Sequence, residues 1–488
     1  MSYCCNDFVY KKTNEYYEIT DYIGKEKLIF IPDFHDDLPV KQIHLDAFKR
    51  NAKKIVILTK YIEVIHPFTH RVDDEIVIYQ PIDSHQIFDE IPSVIIRKGF
   101  LKLIRDGIFH YACLSDDTVN IVHSDILELR FEPLGRFGEK IILEEVIDGY
   151  RIVGIENYAL MDVINLCAIS IPITIYWIGR KSFFNAEMLE EIYLPESVKR
   201  IGDQAFAHCL NLKRIYLMNH EIELEDRVFE SSFRAMLYFA SSKRFMEITT
   251  DFNPDLLPIA LGYEKSITID HVEYTLLNDH TAIVNGLSVH DFIHLYLPDE
   301  VNGYKVVEIA PFAFYQERYL LSIRIPDSIS AIYTSAFAES HIRKVKLSKS
   351  LRVIDEGLFS GCLYLKSIEI YEGVKIIQEG AFSRCVSLLE VKLPSSLIII
   401  NNSSFFGCYR LRNIVFPKAI EEIMSYAFFE TNLKEIILPS TMTSIGEMSF
   451  GNINKIIKLS IKNPRVYIHE SAFLGSKIIN SQIEGENY

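Results

Sequence analysis

The stretch Leu189–Phe206, LEEIYLPESVKRIGDQAF, decides the fold. Leu189, Ile192 and Leu194 make a short strand of form L-x-x-I-x-L, closed by Pro195, which has no N–H with which to continue a ladder. Val198 and Ile201 mark a second short extended segment. Gly202 permits a sharp turn, and Ala205-Phe206 lead a short helical or irregular segment back into the core. The frame then restarts at Leu212, Ile215 and Leu217. It recurs in LLEVKLPSSLIIINNSSF (Leu388–Phe405), LRNIVFPKAIEEIMSYAF (Leu411–Phe428) and LKEIILPSTMTSIGEMSF (Leu433–Phe450). A phenylalanine closes each copy. Phe183, Phe206 and Phe229 form one series, and Phe314, Phe337, Phe359, Phe382, Phe405, Phe428, Phe450 and Phe473 another, at intervals of 22 or 23 residues. A fixed period of this size predicts a solenoid, because one such coil cannot bury its apolar face without a neighbour. The 22-residue steps after Phe337 and Phe428 each delete one loop residue, in AESHI and FETNL. Stacked coils offer an extended surface instead of a deep pocket, so the pattern argues for binding over catalysis.

A longer unit introduces each array. HVEYTLLNDHTAIV (271–284) followed by LYLPDEVNGYKVVEIAPFAF (295–314) parallels GIFHYACLSDDTVNIV (107–122) followed by IILEEVIDGYRIVGIENYAL (141–160). A weaker copy is DFVYKKTNEYYEIT (7–20) with LIFIPDFHDDLPVKQIHLDAF (28–48). Each has an aromatic strand, a polar turn and an acidic turn leading into the first repeat, which suits capping of an otherwise open apolar end. Three modules are expected: a β cap with degenerate coils at 1–103, with Phe48 and Phe100 in frame; a β cap with about four coils at 104–262; and a β cap with about eight coils at 263–488. SSKRFMEITTDF (241–252) reads as a serine-capped helix broken by Asn253-Pro254.

Composition narrows the function. The chain has 488 residues, 49% hydrophobic and 24% charged, which fits a folded repeat array. Its formal charge of -15 argues against nucleic acid and anionic membranes, where a basic stripe is needed. The apolar run Cys167–Ile178 is too short to span a bilayer and falls in phase with the repeat: Leu166, Ile169, Ile171 and Pro172 match Leu189, Ile192, Leu194 and Pro195. The start, MSYCCNDFVYKK, carries no secretory signal, which places the protein in the cytoplasm by default, with non-classical export or a surface location as the alternative. Cys209, Cys362, Cys385 and Cys408 each follow a repeat phenylalanine by three residues and are expected as small buried core residues; Cys4 and Cys5 receive no role. No Walker loop, dinucleotide glycine motif, nucleophile elbow or HExxH occurs. The spacings His290…His294 (HDFIH) and His66…His70 (HPFTH) lack a third metal ligand in sequence, so no metal or cofactor is expected.

The frame A-F-x-x-C-x-x-L-x-x-I-x-L-P-x-S-(V/L)-x-x-I-x-x-x-A-F resembles the BspA-like leucine-rich repeat family, over most of 107–230 and 271–474 and loosely over 1–103. The entry turns Asp148-Gly149-Tyr150 and Asn302-Gly303-Tyr304 resemble units between arrays in that family. The resemblance implies a leucine-rich repeat solenoid, mainly β, and a non-enzymatic protein. Many members are surface or secreted proteins of bacteria and mucosal parasites, some tied to adhesion. In such a repeat the residues flanking the central aliphatic of each strand face outward on the concave side. This yields Tyr193, Tyr216, Arg324, Lys344, Lys346, Glu369, Lys392, Val415 and Ile437 as candidate contacts for a protein or glycoprotein partner. Arg324, Lys344 and Lys346 form a basic patch and Val415 and Ile437 an apolar one. Trp177, beside Tyr176, either anchors a contact or packs on the preceding cap. The alternative function is a surface adhesin or coat protein, and an enzyme is the third class.

Overall fold

The computed structural model describes residues 7–240 and 258–483, apart from 25–27, 49–54, 70–75, 85, 87, 89–90, 92–93, 107–108, 125–138, 164–165, 220 and 233. The expected helix at 241–252 lies outside the described residues. The chain divides into two compact units, Met1–Leu257 and Pro258–Tyr488. Among the described residues the fold is a β-solenoid of about 18 turns with almost no helix.

Most L-x-x-I-x-L segments are strands laid parallel beside the copy in the next coil. Glu191–Leu194 pairs with Arg214–Leu217 in the register Glu191 to Arg214, Ile192 to Ile215, Tyr193 to Tyr216 and Leu194 to Leu217. The isoleucine and leucine of both strands are fully buried, whereas Tyr193 faces out. The V-x-x-I segments form a second parallel ladder. In the C-terminal unit it runs through Val353–Ile354, Ile376–Ile377, Ile399–Ile400, Glu422–Ile423, Ser444–Ile445 and Tyr467–Ile468 without a break.

The segment expected to be helical or irregular is a turn of repeated conformation. Residues two before and two after the phenylalanine have positive φ, as at Gln204 (55°) and His208 (60°), or Ser403 (53°) and Gly407 (67°). Left-handed residues at these positions break the helical path and turn alternate N–H groups toward the next coil. Ser403, Phe405 and Gly407 donate to the carbonyls of Ser425, Ala427 and Phe429 at 2.9, 2.8 and 2.9 Å. The turns therefore stack through their own hydrogen bonds, and the phenylalanine rings stack with them. Phe405 lies 5.1 Å from both Phe382 and Phe428, with ring planes 6° apart in each pair.

The repeat cysteines are buried and free. Cys362, Cys385 and Cys408 each donate to the carbonyl of the phenylalanine in the preceding coil, Phe337, Phe359 and Phe382, at 3.1 Å. In two coils that lack the cysteine, serine makes the same bond, from Ser232 to Phe206 and from Ser476 to Phe450. Burial pushes the Cys362 and Cys408 thiols up to about 12, so they stay protonated and inert at neutral pH.

The three entry units share one construction. In each, an antiparallel hairpin leads into a parallel strand: Phe8–Lys12 with Tyr17–Tyr22 and then Leu38–His44; Phe109–Leu114 with Thr118–Ser124 and then Tyr150–Ile155; Val272–Leu277 with Thr281–Leu287 and then Tyr304–Ile309. The acidic turns place two successive residues at positive φ: Asp36-Asp37 (43° and 65°), Asp148-Gly149 (50° and 85°) and Asn302-Gly303 (49° and 85°). Two left-handed residues in a row are what a tight two-residue hairpin requires. Val94–Asp106 pairs with Ile76–Pro81 on one side and with Phe109–Leu114 on the other, so hydrogen bonding runs across position 103. The division into three modules stands as a proposal about where the repeats restart.

Candidate binding surface

In the C-terminal unit the outward strand residues form two columns. Ser322–Arg324 and Lys344–Lys346 pair in parallel, setting Ser322 beside Lys344 and Arg324 beside Lys346. Arg324, Lys344 and Lys346 are all exposed. No acidic partner reaches any of the three among the described residues. His294–Tyr296 pairs with Ser322–Arg324 on the other side and adds Tyr296, 71% exposed, next to Arg324. Tyr296 is absent from the contacts expected from sequence. It sits 28 residues before Arg324 because the entry unit is longer than a coil, although its strand, HLYLP, carries the same L-x-L-P ending.

Farther along, charge is neutralised within the face. Lys392 and Glu369, neighbours in register, form an ion pair, and the carboxylate holds the Lys392 ammonium above its ordinary range. The strand ladder then breaks: the coil at Leu411 keeps only the bridge from Glu390 to Asn413. Here Phe416 stands where other coils have leucine or isoleucine, and its ring packs edge-on against Phe428 at 5.5 Å. A groove of about 360 Å³ opens beside the break, lined by Glu372, Glu390, Lys392, Asn413, Val415 and Pro417 among others. The Ser395 amide and hydroxyl hold Glu372 below the usual carboxylate range. Val415 is 84% exposed and Ile437 38%. The structure thus brings Lys392 and Val415 to one groove, while Ile437 lies outside its lining.

The N-terminal unit treats its aromatics differently. Tyr193 is exposed, but Tyr216 is buried against its neighbours, with its ring 5.0 Å from Tyr238 and 6.2 Å from Tyr193. A column expected to face outward is therefore closed over at Tyr216 by the next tyrosine. Trp177 packs on the entry unit: it pairs in register with Gly154, where a side chain would strike the indole at 2.2 Å. The Arg97 guanidinium lies 4.4 Å over the indole ring. Arg97 in turn donates twice to buried Glu156, at 3.0 and 3.1 Å, and Tyr79 donates to the same carboxylate at 2.7 Å. A cleft of about 470 Å³ beside this cluster is lined by Tyr176, Trp177, Arg180, Lys199 and Arg200, among others.

His294 lies on a strand, hydrogen-bonded to Ser322, whereas His290 pairs with Glu317. His70 lies outside the described residues. No helix among the described residues is long and apolar enough to cross a membrane.

Parallel short strands, a buried aliphatic in each and a stacked turn define a leucine-rich repeat protein. The pattern described as the BspA type leucine rich repeat region matches residues 136–250, 294–411 and 375–487, in six copies. The chain belongs to that family. Among solved structures it is similar to a leucine rich cell surface protein from Faecalibacterium prausnitzii, at 23% identity over 64% of this chain and 94% of that one, with a TM-score of 0.34. It is also similar to a leucine-rich repeat protein from Bacteroides ovatus (21% identity, 76% and 68% covered, TM-score 0.29) and to the pneumococcal vaccine antigen PcpA (15%, 85% and 91%, 0.30). No curated protein matches the chain.

Proposed function

We propose that the chain is a non-enzymatic scaffold that binds a protein or glycoprotein through the outward strand face of its C-terminal unit. One observation carries this reading. Arg324, Lys344 and Lys346 lie exposed on adjacent strands, without an acidic partner among the described residues, in a chain of net charge -15. Exposed Tyr296 on one side supplies an aromatic anchor of the kind that dominates interfaces. The partner's complementary surface is acidic, with an apolar spot for Tyr296.

The test compares capture by the full-length chain with capture by a K344E/K346E variant and a Val415→Asp variant, read by mass spectrometry. Partners lost with the double charge reversal support the basic patch, and those lost with Val415→Asp support the groove. Retention of every captured protein by both variants refutes the reading. A coat or adhesin role is the second reading. Concentration-dependent association in sedimentation experiments distinguishes it from partner binding by a monomer.

A further inference from the structure

Three adjacent strands at the N-terminal end gather a carboxylate and two imidazoles on one face. Leu38–His44 pairs in parallel with Tyr17–Tyr22, setting Glu18 beside Gln42, and with Val64–His66, setting His44 beside His66. Side chains two apart on a strand share a face, so Glu18, Gln42, His44 and His66 all project the same way. Glu18 is only 6% exposed, yet it is a carboxylate. One ligand atom from each of Glu18, His44 and His66 lies within 4.8 Å of the other two. His44 Nε2 is hydrogen-bonded to Glu18 Oε1, and His66 Nε2 is 3.8 Å from the same oxygen. The two imidazoles stack 4.1 Å apart with planes at 12°.

We propose that Glu18, His44 and His66 bind a divalent transition metal, zinc above all. Two imidazoles and one carboxylate are a zinc donor set that leaves a fourth position for water. With zinc bonds of about 2.0–2.2 Å, tetrahedral geometry needs donor atoms about 3.3–3.6 Å apart. The Glu18–His44 contact must lengthen and the Glu18–His66 separation must shorten from 3.8 Å, which rotation of two partly exposed rings achieves. Calcium and magnesium need several oxygen ligands, and this face offers one carboxylate. The remaining neighbours are compatible with the ion. Lys11 Nζ touches Oε2, not Oε1, at 3.2 Å, and its side chain is 69% exposed and free to swing into solvent. His66 Nε2 faces Gln42 Oε1 at 3.1 Å, and Gln42 donates to the Tyr16 hydroxyl at 2.8 Å. On binding, each ring presents its Nε2 lone pair and keeps its proton on Nδ1, and Gln42 Oε1 is released. The ion ties the first entry hairpin to the next two strands of its sheet, in the stretch where the phenylalanine stack is not yet established.

The test is calorimetric titration of metal-stripped, full-length protein with zinc chloride, beside Glu18→Gln, His44→Ala and His66→Asn. Other histidines and cysteines in the chain make the difference in stoichiometry the decisive number. The expected result is one zinc equivalent that each variant loses or binds at least tenfold more weakly. Loss of an outer-shell partner alone costs about 10–100-fold, so a direct ligand costs no less. Zinc also slows amide exchange in Tyr17–Tyr22, Leu38–His44 and Val64–His66 of the wild type, and calcium and magnesium do neither. His66→Asn alters a partly exposed ring, so it keeps the comparison valid if Glu18→Gln disturbs folding. No zinc uptake by the wild type at micromolar concentration, or equal uptake by the wild type and a folded His66→Asn, overturns the proposal and leaves an ordinary histidine–glutamate pair.

Discussion

Replacing Phe405 tests the stacked core directly. The ring is fully buried and sits between Phe382 and Phe428, 5.1 Å from each. Phe405→Leu keeps most of the apolar burial and loses two ring–ring contacts at about 0.5–1.5 kcal/mol each, or about 1–3 kcal/mol. Phe405→Ala adds the cavity and costs about 3–5 kcal/mol. Phe473 is half-buried with a single stacked neighbour among the described residues, Phe450 at 5.4 Å. Phe473→Leu therefore costs about 0.5–1.5 kcal/mol. A repeat array unfolds by segments, so a single global midpoint mixes contributions from different coils. Native-state amide exchange resolves them. The Phe405 amide, bonded to Ala427 at 2.8 Å, reports the centre, and the Phe450 amide, bonded to Ala472 at 2.9 Å, reports the end. The central substitution lowers protection on both sides of its coil, because it weakens two coil interfaces, and the terminal one weakens one. Equal losses for Phe405→Ala and Phe473→Ala, or a Phe405→Ala loss below about 1 kcal/mol, would refute the stacked core as the main source of cohesion.

Two further predictions concern buried charge. Arg97→Met leaves the Glu156 carboxylate buried with Tyr79 as its remaining side-chain donor, and costs about 3–5 kcal/mol in exchange protection of the Glu156 amide, which bonds to Ile121 at 2.8 Å. Arg97→Met/Glu156→Leu recovers most of that loss; a double variant no more stable than the single one counts against the assignment. Burial raises the Asp355 carboxyl above its ordinary range, opposed by the Glu356 amide it accepts at 2.8 Å. A raised folded value means the fold holds the proton more tightly than the unfolded chain does. The resulting penalty is absent below the unfolded carboxylate range, grows as pH rises through the folded value, and is complete above it. Asp355→Asn keeps the acceptor oxygen, so it raises the exchange protection of the nearby Gly357 amide, bonded to Glu379 at 2.8 Å, at pH 7 and leaves it unchanged at pH 3. An equal shift at both pH values refutes the electrostatic origin.

Much of this architecture is legible in single coils. Leu189, Ile192 and Leu194 specify a strand, Pro195 its end, and the phenylalanine period the stack, because neighbouring coils repeat the same environment. The turn around each phenylalanine is harder to read. Its left-handed positions are held by Gln204, His208, Ser403 and Tyr426 as well as glycine, so no residue type announces them. Their conformation is sustained by hydrogen bonds to the next coil, which no single coil contains.

The same division holds for function. Alternation along a strand assigns each side chain to the core or to the outer face, and that much follows from local geometry. Whether an outward residue is available depends on its lateral neighbours. Tyr193 stays exposed while Tyr216 is closed over by Tyr238; Lys392 is neutralised by Glu369 while Lys344 and Lys346 meet no acid among the described residues. Glu18, His44 and His66 are 26 and 22 residues apart in succession and share no motif. They meet because parallel strand register sets them side by side across about 4.8 Å. Periodicity encodes the coil, and stacking determines which of its outward side chains become a surface and which become a site.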